Sequence, residues 1–204
     1  MNWYKIAQTN THYDQTDPYF NAIKNNDINT LQNMIKKTAR KNGYNYGPVY
    51  HAGRRDLVPR EGIVFFSNEP RNKEFGPITT LAFLMMRHSY TNSSYDIEEV
   101  LNYMPENVIN KLVSYYSDWD ITNKEELKKI IEEEEKWQTT IFRKYIQEAG
   151  FDSVFTRDTF GGKIEYAVFK PNQIKLASLI TYDNNNNPIP LKERFNPNNP
   201  NINY

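Results

Sequence analysis

Gly161–Lys175 reads GGKIEYAVFKPNQIK: a turn, an alternating run and a proline-marked bend. Lys163–Phe169 alternates with a period of two, as a β-strand does. Ile164, Tyr166 and Val168 fall on one face, and Glu165, Ala167 and Phe169 on the other. Glu165 thus shares its face with two apolar residues. A carboxylate turned inward loses hydration and needs a partner or a task, whereas one on an edge strand leans into water. Upstream, Ser153–Arg157 reads as a strand and Thr159–Gly162 as a hairpin-like turn, so Lys163–Phe169 is expected to return antiparallel to Ser153–Arg157. A second segment, Pro48-Val49-Tyr50-His51-Ala52-Gly53, is a short strand-like run ending in a histidine and a turn.

Working outward, Asp17-Pro18 reads as an N-cap followed by proline at the first helical position. Phe20, Ile23, Leu31, Met34, Ile35 and Thr38 recur at helical spacing, interrupted near Asn25-Asn26-Asp27. The spacing predicts a helical hairpin over 17–43, its second helix capped by Asp27 and ending before Gly43. Val49–His51 and Gly62–Ser67 (GIVFFS) read as strands. Pro77–His88 carries Ile78, Leu81, Ala82, Leu84 and Met85 at helical spacing, which predicts a core helix, followed by a polar loop over Ser89–Tyr95. Residues 96–150 form a helical middle segment. Glu98–Asn102 and Glu106–Tyr116 are broken at Pro105, and a longer helix from Asn123 turns Leu127, Ile130, Ile131, Trp137, Ile141, Tyr145 and Ile146 inward. The acidic run Glu132–Glu135 reads as a solvated helix face and Gly150 as a stop. Short strands are expected at Ile174–Ser178 and Leu179–Tyr182. The tail over 183–204 then reads as an extended wrap or a frayed end, its run Asn184–Asn187 reflecting compositional bias. His12 and His88 read as structural.

A chain of 204 residues can bury a substantial core, and the expectation is a single domain over 1–204. With 25 basic and 25 acidic residues, no global field draws it to nucleic acid or to an anionic membrane. The absence of cysteine excludes disulfides, thiolate metal sites and a cysteine nucleophile. The polar first residues lack the apolar core of a signal peptide, and the longest strongly apolar run, Leu81–Met86, is too short to span a bilayer. These features predict a soluble, cytoplasmic protein without a membrane partner. There is no GxxxxGK[ST], no GxGxxG, no HExxH and no GxSxG. The three histidines are dispersed and no metal is expected.

A strand carrying Tyr50-His51, a strand GIVFFS leading into a helix, and a later strand carrying Glu165 together resemble the ADP-ribosyltransferase fold. More closely, the chain is similar to the ADP-ribosyltransferase-like domains of phage polyvalent and portal-associated proteins and their prophage relatives. The resemblance rests on DPYFNAIKNNDINTLQNMIKKTARKNGYNYGPVYHAG, residues 17–53, and on FKPNQIKLASLITYDNNNNPIPLKERFNPNNPNINY, residues 169–204. The second phrase is the more specific, since a bare His-x-Gly is weak. Residues 89–138 match only in being helical.

The resemblance implies an α+β fold with a split antiparallel sheet and chemistry on NAD⁺, used as substrate and without a metal. Such transferases break the nicotinamide–ribose bond through an oxocarbenium ion and pass ADP-ribose to an acceptor. Glu165 matches the catalytic glutamate. His51 matches the histidine that hydrogen-bonds a ribose hydroxyl, and the backbone of Ala52 would hold the nicotinamide amide. Tyr50 and Gly53 complete that motif. Relatives more often carry Gly-Thr where this chain has Ala52-Gly53, which removes one hydroxyl from the ribose contacts. Phe65 and Phe66 stand where many transferases place a stacking tyrosine. Neighbours on a strand point oppositely, so only one of them faces the site, and the expectation is Phe66, with Ser67 close by. Arg54 and Arg55 suit the pyrophosphate, and Asp56–Glu61 a loop over the dinucleotide, although surface arginines also occur merely solvated.

The function implied is mono-ADP-ribosyl transfer to a host protein or nucleic acid, from a protein of phage or mobile-element origin in a bacterial cell. Nothing in the sequence suggests the second ADP-ribose site that polymer synthesis needs. Two alternatives stand beside it: a catalytically silent binding module on the same scaffold, and an NAD⁺ glycohydrolase in which water takes the acceptor's place. Arg54, Arg55, Arg60, Arg71 and Lys73 are close in sequence and suit phosphates of either a nucleic acid or NAD⁺.

Overall fold

The computed structural model describes residues 16–57, 62–71, 75–116, 121–134, 140–157 and 164–204. Among these residues the chain is mixed α+β, with six α-helices and seven strands paired both parallel and antiparallel. In chain order they are α1 (Pro18–Lys24), α2 (Ile28–Lys41), β1 (Tyr46–Gly53), β2 (Val64–Ser67), β3 (Ile78–Leu84) and β4 (Ser89–Tyr90). Then come α3 (Ser94–Tyr103), α4 (Glu106–Tyr115), α5 (Lys124–Glu134), α6 (Thr140–Glu148), β5 (Ser153–Arg157), β6 (Ile164–Val168) and β7 (Ile174–Leu176). The chain divides into two compact units. One contains Met1–Val64, Glu69–Met85 and Lys170–Tyr204; the other contains Phe65–Asn68 and Met86–Phe169.

In the first unit the helical hairpin forms where the sequence caps it. The Asp17 carboxylate accepts from the Tyr19 N–H at 2.8 Å, with Pro18 opening α1, and Asp27 accepts from the Thr30 N–H at 3.1 Å. Tyr19, Ala22, Leu31, Ile35 and Ala39 project from α1 and α2 into one core with Tyr44, Phe83, Met85, Leu191 and Phe195. The strands beside this core run in the order β1-β3-β7, antiparallel throughout.

The segment after β7 is held by two buried cations, neither of them salt-bridged to a carboxylate among the described residues. The Lys175 ammonium, 1% exposed, donates to the carbonyls of Asn199 and Asn201 at 2.6 and 2.7 Å. Burial lowers its pKa to about 8. Arg194, 2% exposed, donates to the carbonyls of Leu176, Ser178 and Leu179 and to the Tyr19 hydroxyl at 2.8 to 3.2 Å. The tail is therefore an ordered wrap and not a frayed end. Its asparagines have work to do: side chains of Asn196, Asn199 and Asn201 each accept from the N–H two residues on, closing successive Asx turns.

In the second unit the strand order is β4-β5-β6-β2. β5 and β6 pair antiparallel as expected, but β4 and β5 are parallel, so the sheet is mixed and not wholly antiparallel. Parallel neighbours need a long crossover, and α3 to α6 provide it. Ile97, Val100, Leu101, Leu127, Ile131, Phe142 and Ile146 turn inward from those helices. Tyr90 meets Phe142 and Phe151 edge-on at centroid distances of 6.0 and 5.7 Å. Gly150, with φ of +94°, ends the last helix where the sequence places a stop. The His88 ring is stacked on Phe151 at 4.4 Å.

Three local expectations are corrected. Pro77–His88 is not a helix; its centre is β3. Ile78, Thr79 and Thr80 are β-branched, β3 is paired along both edges, and Ala82, Phe83 and Leu84 are buried in succession, so both of its faces are covered there. Helical spacing there is a by-product of an apolar run covered on both faces. Leu179–Tyr182 is no strand, since only a single bridge joins Tyr182 to Pro188 and Arg194 captures the preceding carbonyls instead. Ser89–Tyr95 is not all loop: it contains β4 and the start of α3, capped by Ser93. The helix expected from Asn123 is described as α5 and α6; Trp137 and the turn at Thr159–Gly162 lie outside the described residues. Of the acidic run, Glu132 and Glu133 are exposed as expected.

Candidate functional site

Glu165 is the second residue of β6, directly across the ladder from Thr156 of β5. Directly paired residues share a face, so Thr156, Glu165, Val154 and Ala167 lie on one side of this hairpin. Val154 and Ala167 are fully buried, as is Phe169 beyond the strand, while Glu165 is half-buried. The expected sharing of one face by Glu165 and Ala167 is what the ladder shows, with Phe169 buried just beyond the strand. The other face is also covered at its closed end, through Ser153, Tyr166 and Val168. Glu165, half-buried, therefore stands between the buried end of the strand at Tyr166–Val168 and its more open start at Ile164.

Asn68, just past β2, fixes the start of β6. Its N–H donates to the Ile164 carbonyl at 3.2 Å, and its side-chain oxygen accepts from the Ile164 N–H at 3.1 Å. This brackets the residue before Glu165. Phe66 and Ser67 of β2 are 3% and 4% exposed, whereas Phe65 is 36% exposed, so the two phenylalanines do point oppositely and Phe66 is the inward one.

Tyr50, His51, Ala52 and Gly53 end β1 in the first unit, paired with Leu81, Thr80, Thr79 and Ile78 of β3. Alternation puts His51 on the face of Val49 and Ala82, both buried, and Tyr50 with Ala52 on the face of exposed Thr79 and Leu81. His51 and Tyr50 are half-buried. The His51 ring lies over Gly53: a Cβ at position 53 would sit 3.4 Å from His51 Nε2. The turn beyond is fixed by Gly76. With φ of +146°, its backbone approaches so closely that a Cβ there would lie 2.3 Å from the Gly53 carbonyl oxygen and 2.7 Å from Arg54 N. Both obstacles are backbone and cannot rotate away. Gly76→Ala is therefore expected to destabilise the protein by about 3 kcal/mol, from the disallowed backbone angle and the clash together, as read by denaturant titration. An unchanged midpoint would show that this approach does not fix the His51–Arg54 turn.

Arg54 and Arg55 are exposed at that turn, whereas Arg71 is buried. Arg60, Lys73 and most of the loop expected over the dinucleotide lie outside the described residues. The motif residues of each segment are thus gathered locally, His51 with Gly53 at one strand end and Glu165 at another.

Sequence reasoning passed over Thr156 and Asn68. For Thr156 a signal existed: the turn expected at Thr159–Gly162 is centred midway between Thr156 and Glu165, which sets their register. Nothing in sequence marks Asn68, whose bond to Ile164 joins residues far apart in the chain.

Among the described residues, no group of three or more His, Asp or Glu side chains is arranged to hold a metal ion. No helix there is long and apolar enough to cross a membrane. Comparison of the chain with protein-family models, with curated proteins and with solved structures finds no match.

Proposed function

We propose that the protein is a mono-ADP-ribosyltransferase that cleaves the nicotinamide–ribose bond of NAD⁺ and transfers ADP-ribose to a host macromolecule. The observation that supports this reading most is the setting of Glu165, a carboxylate on an apolar strand face, half-shielded and bracketed by a side-chain clamp on the preceding residue. A negative charge held this way is suited to a cation that develops beside it. In the reaction the ribose C1′–N bond breaks, its electron pair leaves with neutral nicotinamide, and C1′ becomes part of an oxocarbenium ion. The acceptor's lone pair then forms the new bond to C1′ and the acceptor loses a proton. Glu165 would hold the ribose 2′-hydroxyl and offset the positive charge, and it stands ready to orient or deprotonate the acceptor.

His51 would hold a ribose hydroxyl, the Ala52 backbone the nicotinamide amide, and Phe66 with Ser67 the wall against the ring. Tyr50 and Gly53 would shape that end of β1, and Arg54 would meet the pyrophosphate. A silent binding module remains the second reading, and one observation favours it: a phenylalanine at 66 and Ala52-Gly53 after His51 remove two hydroxyls from the family pattern.

Release of nicotinamide from NAD⁺ by the purified protein, followed chromatographically, tests the proposal, and its absence at high enzyme concentration favours the silent module. His51→Ala is expected to weaken NAD⁺ binding roughly tenfold, the scale for losing one hydrogen bond to a buried partner. Calorimetric titration measures it, and an unaltered Kd would count against the ribose contact.

A further inference from the structure

We propose that Thr156 is a positioning residue for Glu165, its hydroxyl donating a hydrogen bond that holds the carboxylate in its working orientation. The proposal rests on the reading of Glu165 as the charge that faces the ribose. Thr156 is 4% exposed, and its Oγ1 has no hydrogen-bond partner among the described residues. A buried hydroxyl left so costs free energy that valine, of the same shape, would avoid. The cost calls for an explanation, and the register supplies one.

Thr156 and Glu165 are direct cross-strand partners, a relation that brings their Cβ atoms to about 5 Å on one face. The neighbouring ladder pair on that face, Val154 and Ala167, is apolar and buried, so in this stretch of the β5–β6 ladder the side-chain acceptor facing Thr156 is that of Glu165. Threonine rotates between staggered χ1 wells, and one rotation separates an idle hydroxyl from one that meets its neighbour across the ladder. A donor to a carboxylate favours the charged form and restricts its rotation, which is what electrostatic stabilisation of a cation at a defined place requires. The hydroxyl is thus a reserve that engages once Glu165 turns to the sugar.

Two variants and two measurements test this. Thr156→Val removes the hydroxyl and keeps the shape; Thr156→Ser keeps the hydroxyl. The first measurement is kcat for NAD⁺ cleavage together with the Kd for NAD⁺. Thr156→Val is expected to lower kcat roughly tenfold with Kd within twofold, and Thr156→Ser to stay within threefold in both. The second measurement needs no turnover. The ¹³Cδ resonance of Glu165, identified as the one lost in Glu165→Gln, is recorded with NAD⁺ present. It is expected to move in Thr156→Val and to stay in place in Thr156→Ser. Unchanged kcat in Thr156→Val, or a Glu165 resonance that coincides with wild type, overturns the proposal. A wild-type protein that cleaves no NAD⁺ defeats the reading of the site instead, and the resonance still decides the pairing. Should Thr156→Val fold poorly, Thr156→Ala is expected to show the same displaced resonance, and an unmoved one overturns the pairing equally.

Discussion

Replacing Glu165 by glutamine is expected to lower the turnover of NAD⁺ by roughly 10²- to 10⁴-fold while its Kd for NAD⁺ changes less than threefold. Glutamine has the size of glutamate and can still accept a hydrogen bond from a ribose hydroxyl, so the ground state is held nearly as before. What it lacks is charge. Charge matters only as the C1′–N bond opens and the sugar becomes cationic, so the loss belongs to kcat and not to binding. At 1.36 kcal/mol for each factor of ten, the expected loss is about 3 to 5 kcal/mol of transition-state stabilisation. That is the scale of one well-aimed electrostatic contact in a partly dry site. A variant that turns over within threefold of wild type would remove Glu165 from the chemistry.

The second large effect concerns stability. Arg194→Met is expected to cost about 2 to 4 kcal/mol, visible as a lower denaturant midpoint with an unchanged slope. Methionine fills similar space and relieves the burial of a charge, which by itself would stabilise. Against this, the carbonyls of Leu176 and Ser178 lose the guanidinium N–H groups that reach them at 3.1 and 2.8 Å from a side chain that is itself 2% exposed. Backbone acceptors cannot be mutated away, so the loss exceeds the relief. Phe195 adds to it. Its φ of +61° is strained for a bulky residue and is maintained by edge contacts with Tyr44 and Phe83 and by Arg194 over its ring at 5.2 Å. Arg194→Lys is expected to rescue only in part, because a single ammonium cannot span acceptors that a planar fork reaches. A midpoint equal to wild type in Arg194→Met would show that the wrap is held by its other contacts, Lys175 foremost.

Where the physics is local, the sequence is legible. Asp17 and Asp27 cap helices through bonds two and three residues away, and Gly150 ends one by adopting a backbone angle that other residues resist. The hairpin of β5 and β6 is readable because alternation and turn centre agree, so the face that carries Glu165 follows from the letters alone. Partnership across the chain is a different matter. Pro77–His88 offers an apolar run compatible with either period, and only its position between β1 and β7 makes the centre of it a strand. β4 is two residues long and exists because β5 lies beside it in parallel. The tail's asparagines look like bias until the Asx turns and the cations Lys175 and Arg194 are seen gathering its carbonyls. At the candidate site, the family resemblance singles out His51 and Glu165. The residues that hold them, Asn68 and Gly76, act through contacts that no local pattern announces.

The decisive event is the movement of ADP-ribose from NAD⁺ to another molecule. Incubation of the protein with NAD⁺ labelled in its adenylate, in the presence of bacterial lysate, answers this directly. The expected result is label bound to a macromolecule, abolished by Glu165→Gln. Free labelled ADP-ribose alone would make the protein a glycohydrolase, and NAD⁺ recovered intact would contradict the account altogether.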